Sequence, residues 1–221
     1  MSSKVLEIEA KFRVPDAVTF QRLLALSGLD DYLFGPVEVA ETVDRYYDTA
    51  DMALLRGGYA CRLRQERGRI IATVKGLGEA EGSLHQRQEL ETLLQEMCEP
   101  RDWPEGAAKT LVLSLIGDRP LSLLFELRQV RRHREVREGA RIVGWLSLDQ
   151  VRLADADRSL SWWELEIELS GQGAISDLRS LEDALVKRFG LSPEPRSKFA
   201  RALQWHWSPG ASTGWLEAIY I

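Results

Sequence analysis

Glu7-Ile8-Glu9-Ala10-Lys11 alternates two carboxylates and an ammonium with apolar side chains, and Leu6, Phe12 and Arg13 extend the pattern on both sides. A β-strand sends successive side chains to opposite faces. One face of this strand is therefore apolar, and the other carries Glu7, Glu9, Lys11 and Arg13. The same pattern recurs along the chain. Residues 38–47, rich in β-branched and aromatic types, end at the turn-like Asp48-Thr49-Ala50-Asp51. Residues 58–66 set Cys61 and Leu63 against Arg62 and Arg64, and 69–75 set Ile70, Ala72 and Val74 against Arg69, Ile71, Thr73 and Lys75. Residues 84–92 place Arg87, Glu89 and Glu91 on one face, 140–149 run to Asp149, and 161–169 alternate Glu164, Glu166 and Glu168 with Leu165, Ile167 and Leu169. Residues 127–137 carry charge on both faces: Arg132 and Arg134 with Val130 on one, Arg131, His133 and Glu135 on the other. Eight strands are predicted. Helices are expected at 16–27, 106–116, 175–189 and 195–206, with Asp16 and Ser176 as N-caps and Gly28 and Gly190 as stops.

At 221 residues the chain is long enough to bury a sizeable core. The expected division is one domain over 1–206 and a tail over 207–221, which ends in the apolar Trp215-Leu216-Glu217-Ala218-Ile219-Tyr220-Ile221 and serves as a docked segment or a partner contact. A net charge of −5 argues against bulk affinity for nucleic acid. No apolar run approaches the roughly 20 residues that cross a bilayer, so no membrane role is expected. Met1-Ser2-Ser3-Lys4 runs straight into the charged strand, with no signal peptide expected. Cys61 and Cys98 form neither a disulfide framework nor a zinc spacing, and the three histidines never pair at ligand spacing. Reduced thiols and a cytoplasmic location are expected. A homodimer stays open. The glycines of 76–83 suit a hairpin-like connection and do not follow a phosphate-loop pattern.

Eight antiparallel strands with one charged face form either a sheet with that face in solvent or a barrel with that face inside. A solvated face mixes Lys, Glu, Ser, Thr and Gln loosely. In this chain arginine dominates the middle strands, and paired carboxylates occupy the first and last. The fold expected is α+β, an eight-stranded antiparallel β-barrel with helices packed on the outside. Charges inside such a barrel cost several kcal/mol each unless they pair, bind ions or face water. Lys11, Arg62, Arg64, Lys75, Arg132 and Arg134 supply fixed positive charge suited to phosphate oxygens. Glu7, Glu9, Asp149, Glu166 and Glu168 supply hard oxygen ligands suited to Mg²⁺ or Mn²⁺. A polyanion bridged by a divalent metal needs both, as phosphoryl transfer does.

Glu7-x-Glu9-x-Lys11, Tyr46-Tyr47-Asp48-Thr49, Arg62-x-Arg64, Thr73-Val74-Lys75-Gly76, Arg87-x-Glu89, Leu148-Asp149 and Glu166-x-Glu168 together resemble the CYTH superfamily, the triphosphate tunnel metalloenzymes. The resemblance runs from residue 4 to about residue 206. It implies an eight-stranded antiparallel tunnel, open at both ends, that binds a triphosphate through basic walls and a metal through paired glutamates. Ser83-Leu84-His85-Gln86-Arg87-Gln88-Glu89, Pro195-Arg196-Ser197-Lys198 and the 93–124 excursion look most like the bacterial inorganic triphosphatases. Members of that branch often add a C-terminal helical phosphate-binding (CHAD) domain, for which this chain is expected to be too short.

By this resemblance Glu7, Glu9, Lys11, Glu166 and Glu168 are catalytic, and Glu7 and Glu9 with Glu166 or Glu168 hold the metal. Asp149 helps to place a second metal or its water. Lys11, Arg62, Arg64, Lys75, Arg132 and Arg134 grip phosphates, joined by Arg87 and Lys198. Glu89 and Glu91 orient those arginines or hold metal-bound water. The implied reaction is attack of a metal-activated water on a terminal phosphorus. Arg131 replaces Arg132 inside the barrel if the strand slips by one residue. Glu164, at its strand's start, suits a rim salt bridge. Tyr46, Tyr47, Trp162 and Trp163 read as packing residues, and His85 and His133 as surface or supporting positions. A class IV adenylyl cyclase-like reaction, a thiamine or nucleoside triphosphatase, and a polyphosphate-binding module without catalysis are the competing readings. No aromatic or amide clamp for an organic group is evident.

Overall fold

The computed structural model describes residues 4–78, 80–154 and 159–207, so nearly all of the expected 207–221 tail lies outside the described residues. Eight long strands dominate: β1 (Lys4–Val14), β2 (Glu38–Asp48), β3 (Tyr59–Glu66), β4 (Arg69–Gly76), β5 (Leu84–Leu94), β6 (Ser122–Glu138), β7 (Arg141–Ala154) and β8 (Ser159–Leu169). They pair antiparallel in the order β1-β5-β4-β3-β2-β6-β7-β8, and β8 pairs back with β1. The sheet thus closes into the expected eight-stranded barrel, which leaves no long edge exposed.

Among the described residues five α-helices decorate the barrel: α1 (Ala17–Leu24), α2 (Ala53–Arg56), α3 (Ala107–Ile116), α4 (Ile175–Phe189) and α5 (Lys198–His206). α1 begins where Asp16 accepts a hydrogen bond from the Thr19 amide at 2.7 Å, as the sequence predicts. It ends three residues sooner than expected. Gly28 instead opens a two-residue strand, where a Cβ would stand 2.5 Å from the Tyr32 carbonyl. α4 starts one residue before Ser176, with Ala174 at the cap and the Asp177 carboxylate accepting from the Ala174 amide at 2.8 Å. Gly190 stops it in the left-handed conformation, as expected.

The apolar strand faces point outward, under the helices. Phe12, Leu146, Leu148, Leu165 and Ile167 meet Phe20 and Leu23 of α1 and Leu178, Leu181 and Leu185 of α4. Cys61, Leu63, Ala72, Val74 and Leu90 meet Val112 and Ile116 of α3 together with Trp103 and Leu54. Full burial of each such side chain contributes about 1.5–3 kcal/mol.

A third apolar cluster lies across one mouth of the barrel. Beyond Ala10, β5 diverges from β1, and the vacated edge is taken by Ser192–Pro193, which pairs with Phe12 and Arg13. The Glu194 amide then donates to the Lys11 carbonyl at 3.0 Å. This segment delivers the chain into α5, whose Ser197 cap accepts from the Ala200 amide at 3.0 Å. Phe199 packs against Tyr46 and Phe125 with ring centroids at 5.3 and 5.8 Å, and Leu203 buries with them. α5 therefore stoppers one end of the barrel, in place of the expected tunnel open at both ends, and its first residue, Lys198, projects into the lumen.

Candidate active site

Strand register brings the acidic motifs together. On the β1–β8 seam Glu9 stands opposite Glu168, Lys11 opposite Glu166 and Arg13 opposite Glu164. Across β1–β5, Glu7 faces Arg87, and across β4–β5, Lys75 faces Glu89. The lumen encloses a cavity of ≈330 Å³, within the range of small-molecule pockets. Seven cations (Lys11, Arg62, Arg64, Lys75, Arg87, Arg131, Lys198) and six carboxylates (Glu7, Glu9, Glu89, Glu91, Glu166, Glu168) line it.

At the stoppered end every carboxylate has a cation. Asp149, Glu164 and Glu166 place oxygens within 4.8 Å of one another. The Lys198 ammonium sits in that trio, 2.8 Å from Asp149 Oδ2, 2.8 Å from Glu166 Oε1 and in contact with Glu164. Arg131 donates through Nε and Nη2 to both oxygens of Asp149, at 2.9 and 2.6 Å, and through Nη2 to Glu166 Oε2 at 2.7 Å. Lys11 lies 2.8 Å from Glu166 and 3.3 Å from Glu9. Burial opposes ionisation of Glu166, but Lys11, Lys198 and Arg131 hold it well below the usual carboxylate range. For Glu164 burial outweighs the pull of Lys198 and Lys11 and pushes its pKa up; the Trp162 indole donates to its second oxygen at 2.6 Å.

The opposite half of the lumen is short of positive charge. Lys75 contacts Glu7 and lies 3.6 Å from Glu89. Burial, then the nearby Glu9 charge, pushes Glu7 up to about 7. Burial and Glu9 do the same to Glu168, also to about 7. Burial acts against Glu9 ionisation too, yet Lys11 carries it down to about 2. Three carboxylates, Glu7, Glu9 and Glu168, thus draw on two ammonium groups, Lys75 and Lys11.

Between these ends stands a pair anchored on Asp44, which is fully buried. Arg64 donates to both Asp44 oxygens, Nε at 2.7 Å and Nη2 at 2.8 Å, and Gln129 Nε2 donates to Oδ2 at 2.6 Å. Arg62 Nη2 donates to Thr73 Oγ1 at 3.1 Å and lies 3.6 Å from Glu89. Arg87 contacts His85, whose Nε2 donates to the Glu194 carbonyl at 2.9 Å. Burial pulls His85 down to about 4, which keeps the ring neutral near pH 7.

Of the residues expected to face a site, Glu7, Glu9, Lys11, Arg62, Arg64, Lys75, Arg87, Glu166, Glu168 and Lys198 line one cavity, and Asp149 lies directly behind it against Arg131 and Lys198. Arg132 and Arg134 do not. The alternation of β6 is as read, but the face is the other one, and Arg131 is the arginine inside. Arg132 lies outside over the Phe20 ring, 5.2 Å from its centroid. Arg134 caps α1 from outside, donating to the Leu26 and Leu23 carbonyls at 2.6 and 3.0 Å. Cations there complement the negative end of a helix. Glu164 is no rim residue but is buried with Lys198. Asp44, Gln129 and Ser147 are not among the residues the sequence marks for the site, and Thr73 enters it only within its motif. Tyr46 and Trp162 sit in the stopper cluster, while Tyr47 and Trp163 pack under the helices.

A closed antiparallel barrel whose charges face inward is a tunnel domain. The chain belongs to the CYTH domain family, which matches residues 6–203. Solved structures similar to it include an adenylyl cyclase candidate from Hippeastrum, described as having a dominant triphosphatase activity, at 20% identity and a TM-score of 0.68, covering 90% of this chain and 96% of that one. A candidate adenylate cyclase of Bacillus halodurans aligns at 22% identity and a TM-score of 0.63, covering 90% and 97%. The PH1819 protein of Pyrococcus horikoshii aligns at 17% and 0.56, covering 90% and 99%. At these identities the likeness establishes the tunnel fold. Among the described residues no helix is long and apolar enough to cross a membrane.

Proposed function

We propose that this protein is a metal-dependent hydrolase that cleaves inorganic triphosphate to pyrophosphate and orthophosphate inside the barrel. One observation carries the reading: seven cations converge on a ≈330 Å³ cavity that also holds six carboxylates, three of which draw on only two ammonium groups, Lys75 and Lys11. A simple anion-binding pocket has no use for those carboxylates, and a simple cation site has no use for the arginines.

Glu7, Glu9 and Glu168 fit a hard divalent cation, Mg²⁺ or Mn²⁺. They are all oxygen donors, and the two with pKa pushed up to about 7 are those that a nearby positive charge would relieve. Asp149, Glu164 and Glu166 form the tighter trio, yet Lys198 already occupies it. When bound, the ion supplies Lewis-acid charge to phosphoryl oxygens and lowers the pKa of water. The protein's own side chains do the rest. Arg62, Arg64, Arg87 and Arg131 match phosphate oxygens as forks, while Lys11, Lys75 and Lys198 act as point charges. Their mutual ion pairs hold them in place before substrate arrives, so little reorganisation is needed when charge develops on the leaving pyrophosphate. α5 closes one mouth and keeps bulk water from that end. Water attacks the terminal phosphorus in line, the bond to the bridging oxygen breaks, and the proton of the water passes to a lumen carboxylate.

The free thiols Cys61 and Cys98 suit a reducing, cytoplasmic setting. Phosphate release from tripolyphosphate with Mg²⁺ or Mn²⁺, read by malachite green, is the direct test. Turnover with neither metal would refute the proposal.

A further inference from the structure

Arg87 differs from the other lumen arginines in what holds it. Arg64 and Arg131 each donate to both oxygens of a buried carboxylate, Asp44 or Asp149. Arg62 lies 3.6 Å from both Asp44 and Glu89. Arg87 lines the cavity at 5% exposure, and its Nε has no partner among the described residues. Its Nη2 is held by an imidazole rather than a carboxylate, through Nδ1 of His85. His85 is buried two residues earlier on β5, so alternation puts both side chains on one strand face.

The ring is set from behind. The Glu194 carbonyl 2.9 Å from Nε2 only accepts, so Nε2 carries the proton. Nδ1 is then a lone pair, and Arg87 is its donor. Glu194 is itself pinned on several sides. Its amide donates to the Lys11 carbonyl at 3.0 Å, and its fully buried carboxylate accepts from Arg13 Nε at 2.7 Å and Arg196 Nε at 3.0 Å.

We infer that His85 is the positioning residue of Arg87: by accepting from Nη2 it turns the guanidinium so that Nε and the remaining N–H groups face the phosphates. This deepens the proposed triphosphate site, rests on it, and gives His85 no part in the chemistry itself. A carboxylate in the same place would pair with the guanidinium and compete with phosphate for it. A neutral imidazole fixes the direction of the fork and leaves its charge to the ligand, as outer partners do for the groups that hold a metal.

The test is steady-state kinetics on tripolyphosphate in the metal-loaded full chain, with His85→Leu, His85→Asn and His85→Gln, and with Arg87→Ala alone and combined with His85→Leu. An asparagine Oδ1 replaces the Nδ1 acceptor, and a glutamine Nε2 replaces the donor to Glu194. His85→Leu and His85→Gln should raise KM by about tenfold with kcat within about twofold, and His85→Asn should stay within about threefold of the wild type. In the Arg87→Ala background His85→Leu should change KM by less than about twofold, because the group it acts through is gone. Rescue by glutamine and not by asparagine would make His85 a prop of the Glu194 segment and overturn the inference. Independent effects in the double variant would overturn it as well. Absence of tripolyphosphate hydrolysis in the wild type would strike the parent reading alone. The ring-nitrogen NMR spectrum of His85, in the wild type and in Arg87→Ala, then decides, as it does if the His85 variants fail to fold. A proton on Nε2 and an Nδ1 resonance that moves on Arg87→Ala are expected; a proton on Nδ1, or an Nδ1 resonance unmoved by the substitution, overturns the inference.

Discussion

Replacing Lys198 with methionine tests the charge architecture most directly, because the change keeps the stem and removes only the ammonium. The side chain is 7% exposed, and its Nζ lies 2.8 Å from both Asp149 and Glu166 while also touching Glu164. At an effective dielectric near 20, each 2.8 Å contact is a gross attraction of about 6 kcal/mol, most of it offset by desolvation. The cost of removing one partner from a buried ionic cluster is therefore about 3–5 kcal/mol. For a domain of this size that lowers Tm by about 6–20 °C. The deficit should depend on pH. In the wild type, Asp149 and Glu166 have folded pKa values below their unfolded ones, a stabilisation present above about pH 4 and lost below it. In the variant Asp149 and Glu166 keep Arg131 and Lys11, but Glu164, already pushed up by burial, loses its ammonium and retains its proton, so its folded value lies further above the unfolded one and stability is lost as pH rises. The wild-type stabilisation is already complete at both pH 5 and pH 8, so the variant's loss alone makes the gap smaller near pH 5 and larger near pH 8. Thermal unfolding followed by circular dichroism at both pH values, with metal chelated, measures it. A loss under about 1 kcal/mol at pH 8, or a larger gap at pH 5, would refute the reasoning.

Three further outcomes follow from the same geometry. Glu7 and Glu168, raised to about 7 from a usual value of 4.5, contribute stability that is full below pH 4.5 and is lost as pH rises through 7; the metal-free protein should therefore weaken between pH 5 and 8, and Mn²⁺ affinity by calorimetry should rise over the same window and level off above it. Glu9→Ala should lower metal-dependent phosphate release by about 100-fold or more, with Mn²⁺ binding lost in parallel, because the proposed site loses its strongest acid. Arg131→Ala should raise KM for tripolyphosphate by about tenfold or more, whereas Arg132→Ala should leave KM and kcat within about twofold, since only the former reaches the cavity; equal effects in steady-state kinetics would show that the β6 faces are misassigned.

The contrast between β1 and β6 explains what sequence discloses. In β1, every charged residue from Glu7 to Arg13 falls on one parity and every apolar one on the other, so the pattern itself names the inward face. β8 behaves alike from Glu164 to Leu169. β6 carries Arg131, Arg132, His133 and Arg134 in succession, so parity says nothing about which arginine lies inside. The choice is made by tertiary contacts, namely the α1 carbonyls and the Phe20 ring that receive Arg134 and Arg132. Asp44 escaped notice for a related reason. A single carboxylate among Thr42, Val43, Tyr46 and Tyr47 reads as a solvent-facing residue until Arg64, Arg62 and Gln129 are seen to converge on it from two other strands. Lys198 was legible only through the resemblance, because a helix-start lysine has no local mark of burial.

These placements give the barrel a direction that eight similar strands do not imply. Toward α5, the buried carboxylates Asp149, Glu164 and Glu166 are met by Lys198, Arg131 and Lys11, a set that balances without any ligand. Toward the open mouth, Glu7, Glu9 and Glu168 share Lys75 and part of Lys11, and two of them hold their protons to about pH 7. A polyanion entering the open mouth meets that carboxylate group first, and without a cation there it is repelled. With one it is drawn past to cations whose own partners are carboxylates, each of which must yield a contact to a phosphate oxygen. Under the proposed function, binding is an exchange of ion pairs rather than a creation of them, so specificity for a chain of phosphates would rest on the placing of Lys75, Lys11, Arg131 and Lys198 more than on their total charge.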